Sequence, residues 1–595
     1  MDNSENKYKD ALPFDTIDVT HRSLHQIGID VFEKKWEDVS EECYSVRIEI
    51  DGFHGLGTNG KGTTRSYALA SAYGEIMERI QNKKIFHKTY GLKCLDQPFP
   101  DEKIGDMKEF SVEHPQIMAH LVHGYDNDTF FELFKKYPKL SYFSNYYDVF
   151  GEKRLLLPST LIDMACGTNG MCAGNSLYEA LCHGICEIME RYVSKQILYH
   201  QLMLPEIPIE EIQEQKIINI IKILKEAGLS VVIKDCTLGG VYPVVGVLLF
   251  NNNKTRYQFR LGSESVFSIA LERCLTEVLQ GHNVESFKRD SMLPVEYQFC
   301  NNEKSLRENL SKTSKNGMGQ FPVSIFLHVK PNMMYSRAFL SESKNNKQNY
   351  EHLISQLKLH NFQLYIRNLS FLNFPSYKIF IPGMSEIFIN DTNKIERRIK
   401  TNLIANYLLN IQSCTKKELE FLLDELEEYC NRNTNSFCID DSPFFRSTNL
   451  HLKEGNEFDK IDIRLIVTLL GYVLYRDDIA ARYFTWYLKS LPDGGYSNLI
   501  YNRCIMAFLQ FKADRLDDNE IHTILNQFFP KNTVLEVLHD FNDRSTKLFS
   551  KIPVPSCPDC LGCQLAKSCL WEEWEKKNTV INMKLSNFSN FHVIQ

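Results

Sequence analysis

Hydrophobic positions follow two different periods along the first two thirds of the chain. Apolar and polar residues alternate over Cys43–Ile50, which predicts a half-buried strand followed by a glycine-rich loop. Apolar residues spaced by three and four predict a long helix over 65–86. β-branched runs at 231–234 and 244–250 predict further strands. The polar stretch 301–317 predicts a loop or an insertion.

Because strands and helices interleave, we expect an α+β domain over residues 1–391. After about residue 392 the strand signals fade, and amphipathic helical segments follow one another as far as residue 550. That succession is typical of a helical-hairpin, TPR-like repeat array, which usually serves as a docking surface or dimerisation arm. Residues 551–575 form a cysteine-cluster motif, and residues 576–595 form a C-terminal tail.

Two stretches of the α+β domain are nearly the same stretch. The tetrapeptide Gly-Thr-Asn-Gly begins at Gly57 and again at Gly167, and the pentapeptide Glu-Ile-Met-Glu-Arg ends at Arg79 and again at Arg191. Residues three and four apart share one face of a helix. The shared faces carry Ser71, Glu75 and Glu78 in the first copy, and Glu179, His183, Glu187 and Glu190 in the second. A third predicted helix, 268–281, carries Arg273, Glu277 and Gln280 on one side.

Five carboxylates gathered on two helices need a positive partner between them. A single Glu-x-x-Glu pair is usually a solvated helix face, but these segments are otherwise apolar and the same pentapeptide recurs. We therefore predict that the duplicated helices face each other and hold metal-bound phosphate. The oxygen-only ligand set suits magnesium, and Arg79, Arg191 and Arg273 supply the cations that nucleotide phosphates need.

The first glycine loop matches the beginning of a P-loop but not its end. Gly60-Lys61 has the expected spacing from Gly55, yet Gly62 stands where a serine or threonine should bind magnesium. The second copy has Met171 where Lys61 stands. A Walker-type NTPase is therefore not the prediction. The loops instead bring backbone N–H groups close to the helix starts.

The combination of these motifs resembles the YcaO superfamily of ATP-binding proteins over residues 5–390, most closely its stand-alone members. The resemblance rests on Ser71-x3-Glu75-x2-Glu78-Arg79, Glu179 with Glu187-x2-Glu190-Arg191, Arg273-x3-Glu277-x2-Gln280, Asn59-Gly60-Lys61-Gly62, Asn169-Gly170-Met171 and the segments 204–208, 238–243 and 382–385. It implies ATP and magnesium held between the duplicated helices. The implied magnesium carboxylates are Glu75, Glu78, Glu179, Glu187, Glu190 and Glu277. The implied nucleotide contacts add Lys9, Thr16, Ser71, Arg79, His183, Arg191, Arg273 and Gln280.

The resemblance also implies a reaction. In YcaO enzymes ATP activates a backbone amide of a peptide or protein, and the nucleophile decides whether an azoline, a thioamide or an amidine results. An amide oxygen is a poor leaving group, and metal-assisted phosphoryl transfer converts it to a good one. The stand-alone type implies a second role instead, as an ATP-binding accessory factor in methylthiolation of a ribosomal small-subunit protein. The sequence leaves both roles open, together with a modification-enzyme or ribosomal-protein partner.

Four cysteines lie within 13 residues near the C-terminal end: Cys557, Cys560, Cys563 and Cys569. Tetrahedral thiolate sites use such spacings, which favours structural zinc. The Cys-x2-Cys-x2-Cys run also allows an iron–sulfur cluster. A disulfide or an unligated cluster is the third alternative.

The bulk composition excludes several classes. A formal charge of −7 gives no reason to expect nucleic-acid binding. No window of about 20 apolar residues exists, so no membrane span is expected. The polar, acidic start lacks the features of a signal peptide, so we expect a cytoplasmic protein with reduced cysteines. We also expect a homodimer.

Overall fold

The structure is a computed structural model of the 595-residue chain. It describes residues 9–40, 43–86, 100–124, 128–137, 141–278, 288, 291–295, 302–340, 345–388, 390–433, 436–448, 450, 452–453, 456–491, 499–557 and 559–588. Gln280, one of the predicted site residues, lies outside these ranges. The described residues form two compact units. The first contains those before 87, those between 98 and 392 and those from 576 onward, and the second contains those from 393 to 575.

Three antiparallel sheets organise the first unit. The first sheet has the order β1-β2-β3, with β1 at Val31–Ser40, β2 at Cys43–Ile50 and β3 at Gly57–Gly62. The glycine-rich stretch that the sequence predicts as a loop is therefore the edge strand β3. Helix α1 spans Pro13–His25 and helix α2 spans Arg65–Gln81. A Cβ at Gly60 would collide with the backbone of Ala68 and Ala72, so glycine lets α2 pack directly on β3.

The second sheet has the order β12-β11-β10-β9-β8. Its strands are β8 Glu206–Ile207, β9 Leu229–Asp235, β10 Val244–Asn251, β11 Arg256–Ser263 and β12 Leu293–Pro294. Helices α8, Gln215–Glu226, and α9, Phe267–Val278, share a buried apolar cluster with β9 and β10. The strands expected at 231–234 and 244–250 are confirmed as parts of β9 and β10.

The third sheet has the order β4-β5-β13-β14-β7, with β6 paired to β5. Its strands are β4 Glu102–Ile104, β5 Tyr142–Asp148, β6 Lys153–Pro158, β7 Met171–Ala173, β13 Tyr365–Asn368 and β14 Ser376–Phe380. Around it lie α3 Met107–Glu113, α4 Pro115–Leu121, α5 Asp128–Lys136, α6 Ser159–Cys166, α7 Leu177–His200, α10 Glu303–Asn316 and α11 Asn346–Leu359. Interleaved helices and sheets confirm the predicted α+β class of this unit.

Helix α7 is the central element of the first unit. Its buried residues, including Ile185 and Met189, belong to one apolar cluster with Leu248 of the second sheet and Ile379 of the third. A Cβ at Gly184 would lie 2.7 Å from Cys172 Sγ and 2.8 Å from Ile379 Cδ1, so glycine permits this close packing. The core therefore fixes α7 on several sides, and with it any side chain that α7 presents to a cavity.

The described residues of the second unit are helical, apart from isolated bridges such as Cys438 with Asp462. The helices are α12 Thr392–Leu409, α13 Lys416–Arg432, α14 Pro443–Thr448, α15 Ile463–Val473, α16 Asp477–Ser490, α17 Leu499–Ala513, α18 Asp518–Phe528 and α19 Lys531–Asp540. A last helix, α20, spans Trp571–Ser586. The TPR-like assignment and the internal duplication of the core remain predictions.

Two stretches that the sequence predicts as a loop or insertion and as a tail contain helices. The stretch 301–317 is not a loop, because α10 begins after the Asn302 side chain caps the Ser305 N–H at 2.9 Å and ends at Gly317, whose φ is +64°. The predicted tail beyond residue 576 contains most of α20 and belongs to the first unit. Within the described part of the chain, none of the helices combines the length and apolar character needed to cross a bilayer.

Candidate functional site

The two helices that carry the repeated pentapeptide begin in the same way. Thr64 precedes α2 with φ −135° and ψ 161°, and its side chain accepts the Tyr67 N–H at 3.2 Å. Ser176 precedes α7 with φ −134° and ψ 166°, and its side chain accepts the Glu179 N–H at 3.2 Å. Such N-caps satisfy backbone donors that the first helical turn leaves unpaired. The two copies of the sequence therefore enter their helices with matching geometry.

A cavity of about 390 Å³ lies where α2, α7 and α9 meet the N-terminal segment. All thirteen predicted site residues that the structure describes line it: Lys9, Thr16, Ser71, Glu75, Glu78, Arg79, Glu179, His183, Glu187, Glu190, Arg191, Arg273 and Glu277. The structure thus brings together residues that are up to 268 positions apart in the sequence. The predicted glutamates face one cavity rather than bulk solvent.

On α2, one guanidinium holds both glutamates of the repeat. Arg79 Nη2 lies 3.2 Å from Glu75 Oε1, and Arg79 Nη1 lies 3.5 Å from Glu78 Oε1. Glu78 is almost buried, whereas Glu75 is about one third exposed. The pair leaves carboxylate oxygens of both residues at the cavity wall.

Other ion pairs of the cavity form between elements and within α7. Lys61 Nζ, on β3, lies 2.5 Å from Glu277 Oε2 on α9. Arg191 Nη2 lies 3.8 Å from Glu187 Oε1 on α7, and Arg191 Nη1 donates a 2.9 Å hydrogen bond to the Ser314 carbonyl of α10. The negative end of the α10 dipole also stabilises this cation. The second copy's arginine is therefore tied to the helix that the sequence predicts as a loop.

Glu179 differs from the other carboxylates because its oxygens are already saturated. Its Oε1 accepts from Lys9 Nζ at 3.1 Å, and its Oε2 accepts from the Asp10 N–H at 2.9 Å. The Asn175 amide donates to both oxygens at 3.1 Å, while Thr16 Oγ1 lies 2.7 Å from Asn175 Oδ1. This network fastens the N-terminal segment to the start of α7. Glu179 therefore anchors Lys9 and Thr16 at the cavity.

Two carboxyl groups of the cavity resist ionisation. Burial raises the pKa of Glu78 to about 8, and the neighbouring Glu187 acts in the same direction, against the opposing effect of Arg79. Burial, followed by the charge of Glu277, raises the pKa of Glu190 to about 7. Both groups are therefore more protonated near neutral pH than an ordinary glutamate, and a cation that enters the cavity favours their ionised forms.

A third carboxyl group, that of Glu277, ionises more readily than an ordinary glutamate. Burial opposes ionisation of Glu277, but the nearby Lys61 and Arg191 outweigh it and lower its pKa to about 2. Burial also lowers the pKa of His183 well below its ordinary value, and the cation Arg273 adds to that effect. His183 is therefore a neutral hydrogen-bonding group in the cavity. The cavity therefore combines carboxylates held in the ionised form, Glu277 and Glu179, with two carboxyl groups whose ionisation is disfavoured, Glu78 and Glu190.

Several residues that line the cavity are not among the predicted site residues. Asn59 and Lys61 belong to motifs of the first glycine loop, and the structure places them on β3, which lies against α2 and the cavity. Asn175, Glu272 and Thr276 also line it. In the sequence, the only indication that these three residues belong to the site is that they are adjacent to Ser176, Arg273 and Glu277. Tertiary packing decides which neighbours of a helix face reach the cavity.

The donors in the cavity suit magnesium by chemistry, since carboxylate oxygens are hard ligands. Their arrangement differs from a preformed metal site. Among the described residues, no group of three or more His, Cys, Asp or Glu side chains is placed to hold a metal ion. The carboxylates are held instead by the ammonium and guanidinium groups around them.

The same finding applies to the cysteine cluster. Cys557, Cys560, Cys563 and Cys569 are all partly exposed, and the structure places none of these four in a disulfide. Burial raises the pKa of Cys560 and of Cys569. With no metal-ligand group among the described residues, the structure does not support the predicted zinc or iron–sulfur site.

A comparison with known families identifies the class of protein to which the chain belongs. The sequence profile described as YcaO cyclodehydratase, ATP- and Mg²⁺-binding, matches residues 59–385, which is more than half of the chain. The chain therefore belongs to the YcaO family. The matched region contains eleven of the thirteen described site residues that line the cavity, with Lys9 and Thr16 before it.

Two curated proteins are similar to the chain at 28% identity. One is an uncharacterised protein of Haemophilus influenzae, aligned over 401 residues, and the other is the ribosomal protein S12 methylthiotransferase accessory factor YcaO of Escherichia coli, aligned over 395. Each alignment covers 64% of this chain and 66% of the relative. The chain thus spans just under two thirds of the length of these relatives.

Solved structures with a similar fold include YcaO from Methanopyrus kandleri bound with AMPPCP and Mg²⁺. It shares 16% identity with a TM-score of 0.41, over 63% of this chain and 92% of that one. A heterocyclase in complex with substrate and cofactor shares 15% identity with a TM-score of 0.44, over 64% of this chain and 53% of that one.

Proposed function

We propose that the protein is an enzyme that binds ATP with magnesium and phosphorylates the oxygen of a backbone amide in a peptide or protein. The observation that carries the proposal is the single cavity in which both copies of the Glu-x-x-Glu-Arg repeat meet Lys61, Arg273 and Glu277. Such a mixture of carboxylates and cations matches a metal-bound triphosphate better than an apolar or uniformly charged ligand. The description of the YcaO family supports the same ligand.

Within this proposal the side chains have separate tasks. The carboxylates that would hold magnesium are Glu75, Glu78, Glu187, Glu190 and Glu277. The groups that would contact the phosphates or the nucleoside are Lys9, Thr16, Ser71, Arg79, His183, Arg191 and Arg273. Glu179, which resemblance assigns to the metal, is saturated by four donated hydrogen bonds. We assign it to positioning Lys9 instead.

The ion pairs of the cavity prepare it for this ligand. Lys61 pairs with Glu277, and Arg79 lies beside both Glu75 and Glu78, so positive charge is already close to these carboxyl groups before a metal arrives. A triphosphate attracts the same cations, and a divalent metal attracts the same carboxylates. When bound, ATP supplies the phosphoryl group that turns the amide oxygen into a leaving group. The residues of the chain orient that group and neutralise its charge.

Phosphate release from ATP tests the proposal. In purified protein supplied with magnesium and a peptide or protein substrate, Glu75→Gln and Glu190→Gln should abolish phosphate release, because each removes a carboxylate from the cavity. Glu132→Gln, an exposed substitution on α5, should leave the rate unchanged. Equal rates in all four proteins would contradict the assignment of the cavity.

The second candidate is an ATP-binding accessory factor for β-methylthiolation of a ribosomal small-subunit protein, without amide phosphorylation of its own. The name of the Escherichia coli relative favours it. Mass spectrometry of ribosomal protein S12 from cells that carry each variant separates the two. Full methylthiolation with Glu75→Gln and with Glu190→Gln supports the accessory role, whereas loss in both variants, together with loss of phosphate release, supports the enzyme.

A further inference from the structure

A buried carboxylate stands directly behind one cation of the cavity. Glu264 follows strand β11 and is only 8% exposed, and it is not among the residues that line the cavity. Its Oε2 lies 3.7 Å from Nη1 of Arg273, which does line the cavity from α9. A buried carboxylate needs a compensating charge or hydrogen bonds. Arg273 supplies the compensating charge, and the ion pair with Glu264 constrains the position of the Arg273 guanidinium.

The other oxygen of Glu264 is fixed by different elements. Oε1 accepts the Ser265 N–H at 3.1 Å and faces the Cys186 thiol of α7 at 3.8 Å. The carboxylate thus connects the end of β11 with α7 and α9, the two helices that carry Glu190 and Glu277. Because all three elements meet at Glu264, its two oxygens have little freedom to follow a moving arginine.

The backbone around Glu264 is held by a neighbouring tight turn. Pro243 ends this turn, and its carbonyl accepts from Ser263 Oγ at 2.9 Å and from the Glu264 N–H at 3.3 Å. Within the turn, Leu238 has the unusual φ of +50°, followed by Gly239 at +84° and Gly240 at +82°. Strained backbone of this kind persists only where the surroundings enforce it. Segment 238–243 is one of the motifs that carry the family resemblance. Its turn supports the backbone of Glu264 beside the cavity.

We propose that Glu264 is a positioning residue, which aims the Arg273 guanidinium at the phosphates of the bound nucleotide. The inference rests on the proposed function, since it names the phosphates of that ligand. An arginine that is already oriented loses less conformational entropy on binding than a free one. Glu264 acts through Arg273 and touches neither the nucleotide nor the reacting atoms.

A double-mutant cycle tests the inference. Calorimetry of AMPPCP binding with magnesium is performed on the full-length wild type, on Glu264→Gln, on Arg273→Gln and on the double variant. Glu264→Gln should weaken binding roughly tenfold, the scale of one charge-assisted contact. In the Arg273→Gln background the same change should have no further effect, because residues that act through one another are not additive.

Controls separate positioning from folding. Glu49→Gln removes another buried carboxylate with cationic partners, Lys34 and Arg47, on β2 at a position that does not line the cavity. It should lower the unfolding temperature while leaving AMPPCP affinity unchanged. Glu264→Asp keeps the charge and serves as a second variant if the glutamine form does not fold; it should lose less affinity than Glu264→Gln.

The outcomes are distinguishable. Wild type that does not bind AMPPCP contradicts the proposed function itself. Wild type that binds, with Glu264→Gln and Arg273→Gln weakening binding additively, overturns the positioning role alone. Unchanged or tighter binding in Glu264→Gln overturns it as well, because the arginine would then need no support.

Discussion

At the scale of single residues, proton occupancy decides how the cavity receives a cation. The raised pKa values of Glu78, about 8, and Glu190, about 7, mean that both carboxyls are largely protonated at pH 6. Only the ionised form is a strong ligand for a metal. Metal-nucleotide binding should therefore release protons and become tighter as the pH rises.

The first prediction concerns this pH dependence. AMPPCP affinity in the presence of magnesium, measured by calorimetry from pH 6 to 8.5, should increase with pH in the wild type. The increase should be smaller in Glu78→Gln, which has no proton to lose at that position. A pH dependence identical in the two proteins would contradict the assignment of Glu78 to the metal.

The same shift has a consequence for the nucleotide-free protein. The folded pKa of Glu78, about 8, lies above its ordinary value of 4.5. Between these values the folded state binds the proton and the unfolded state does not, so stability falls as the pH rises through that window. Glu78→Gln should therefore lose less stability than the wild type between pH 5 and 8.5 in urea unfolding. A larger loss in the variant would contradict the shift.

The residue scale is also where sequence reasoning succeeded best. The repeated pentapeptide placed Glu75, Glu78, Glu187 and Glu190 on helix faces, and the structure brings all four to one cavity. A helical period of 3.6 is a local property, so spacing alone predicts which residues share a face. The partners of those residues depend on tertiary packing. The pairing of Lys61 with Glu277, 216 positions apart, therefore had no local signal.

At the scale of elements, the failures have local physical causes. Helix α10 buries few residues, such as Asn309 and Leu310, and its solvated faces are polar, so its sequence looks like a loop. Strand β3 consists of glycines and polar residues because α2 packs against it at backbone distance. Hydrophobic periodicity identifies neither element, because neither has a regular series of apolar side chains. In both cases packing against neighbouring elements stabilises the structure.

The second prediction concerns the tight turn at 238–243. A Cβ at Gly240 would lie 2.5 Å from the Met334 carbonyl, whereas a Cβ at Gly239 would meet nothing within 4 Å. The two glycines have nearly equal φ values, so both alanine variants carry the same backbone strain. Gly240→Ala should lower the unfolding temperature more than Gly239→Ala, as measured by calorimetric scanning.

Nucleotide binding gives that comparison a second readout. Because the turn supports Glu264, Gly240→Ala should also weaken AMPPCP binding more than Gly239→Ala does. Equal effects of the two variants on both measurements would show that the close approach of Gly240 to the Met334 carbonyl contributes neither to stability nor to nucleotide binding.

At the scale of the whole molecule, residues 576–588 belong to the first unit. Helix α20 buries Ile581 and Leu585, and Lys577 Nζ donates to the Gly28 carbonyl of the segment after α1. Helix α1 carries Thr16, one of the cavity residues. The sequence predicts residues beyond 576 as a tail, because a lone amphipathic segment does not reveal which surface it covers.

The third prediction tests this attachment. Removal of residues 576–595 should lower the stability of the first unit by at least about 3 kcal/mol in urea unfolding, since it deletes the buried side chains of Ile581 and Leu585 and exposes the apolar surface that they cover. Lys577→Met removes only the contact with Gly28 and should cost about 1 kcal/mol or less. A truncated protein as stable as the full chain would contradict the packing of α20 on the first unit.

The proposed function depends on a metal-dependent nucleotide site between the two helices that carry the repeated pentapeptide. Calorimetry of AMPPCP binding to wild type and to Glu190→Gln, with and without magnesium, tests it most directly. We predict saturable binding by the wild type that requires magnesium and is lost or strongly weakened in Glu190→Gln. Absence of binding by the wild type, or binding that is equal in both proteins and indifferent to magnesium, would contradict the account.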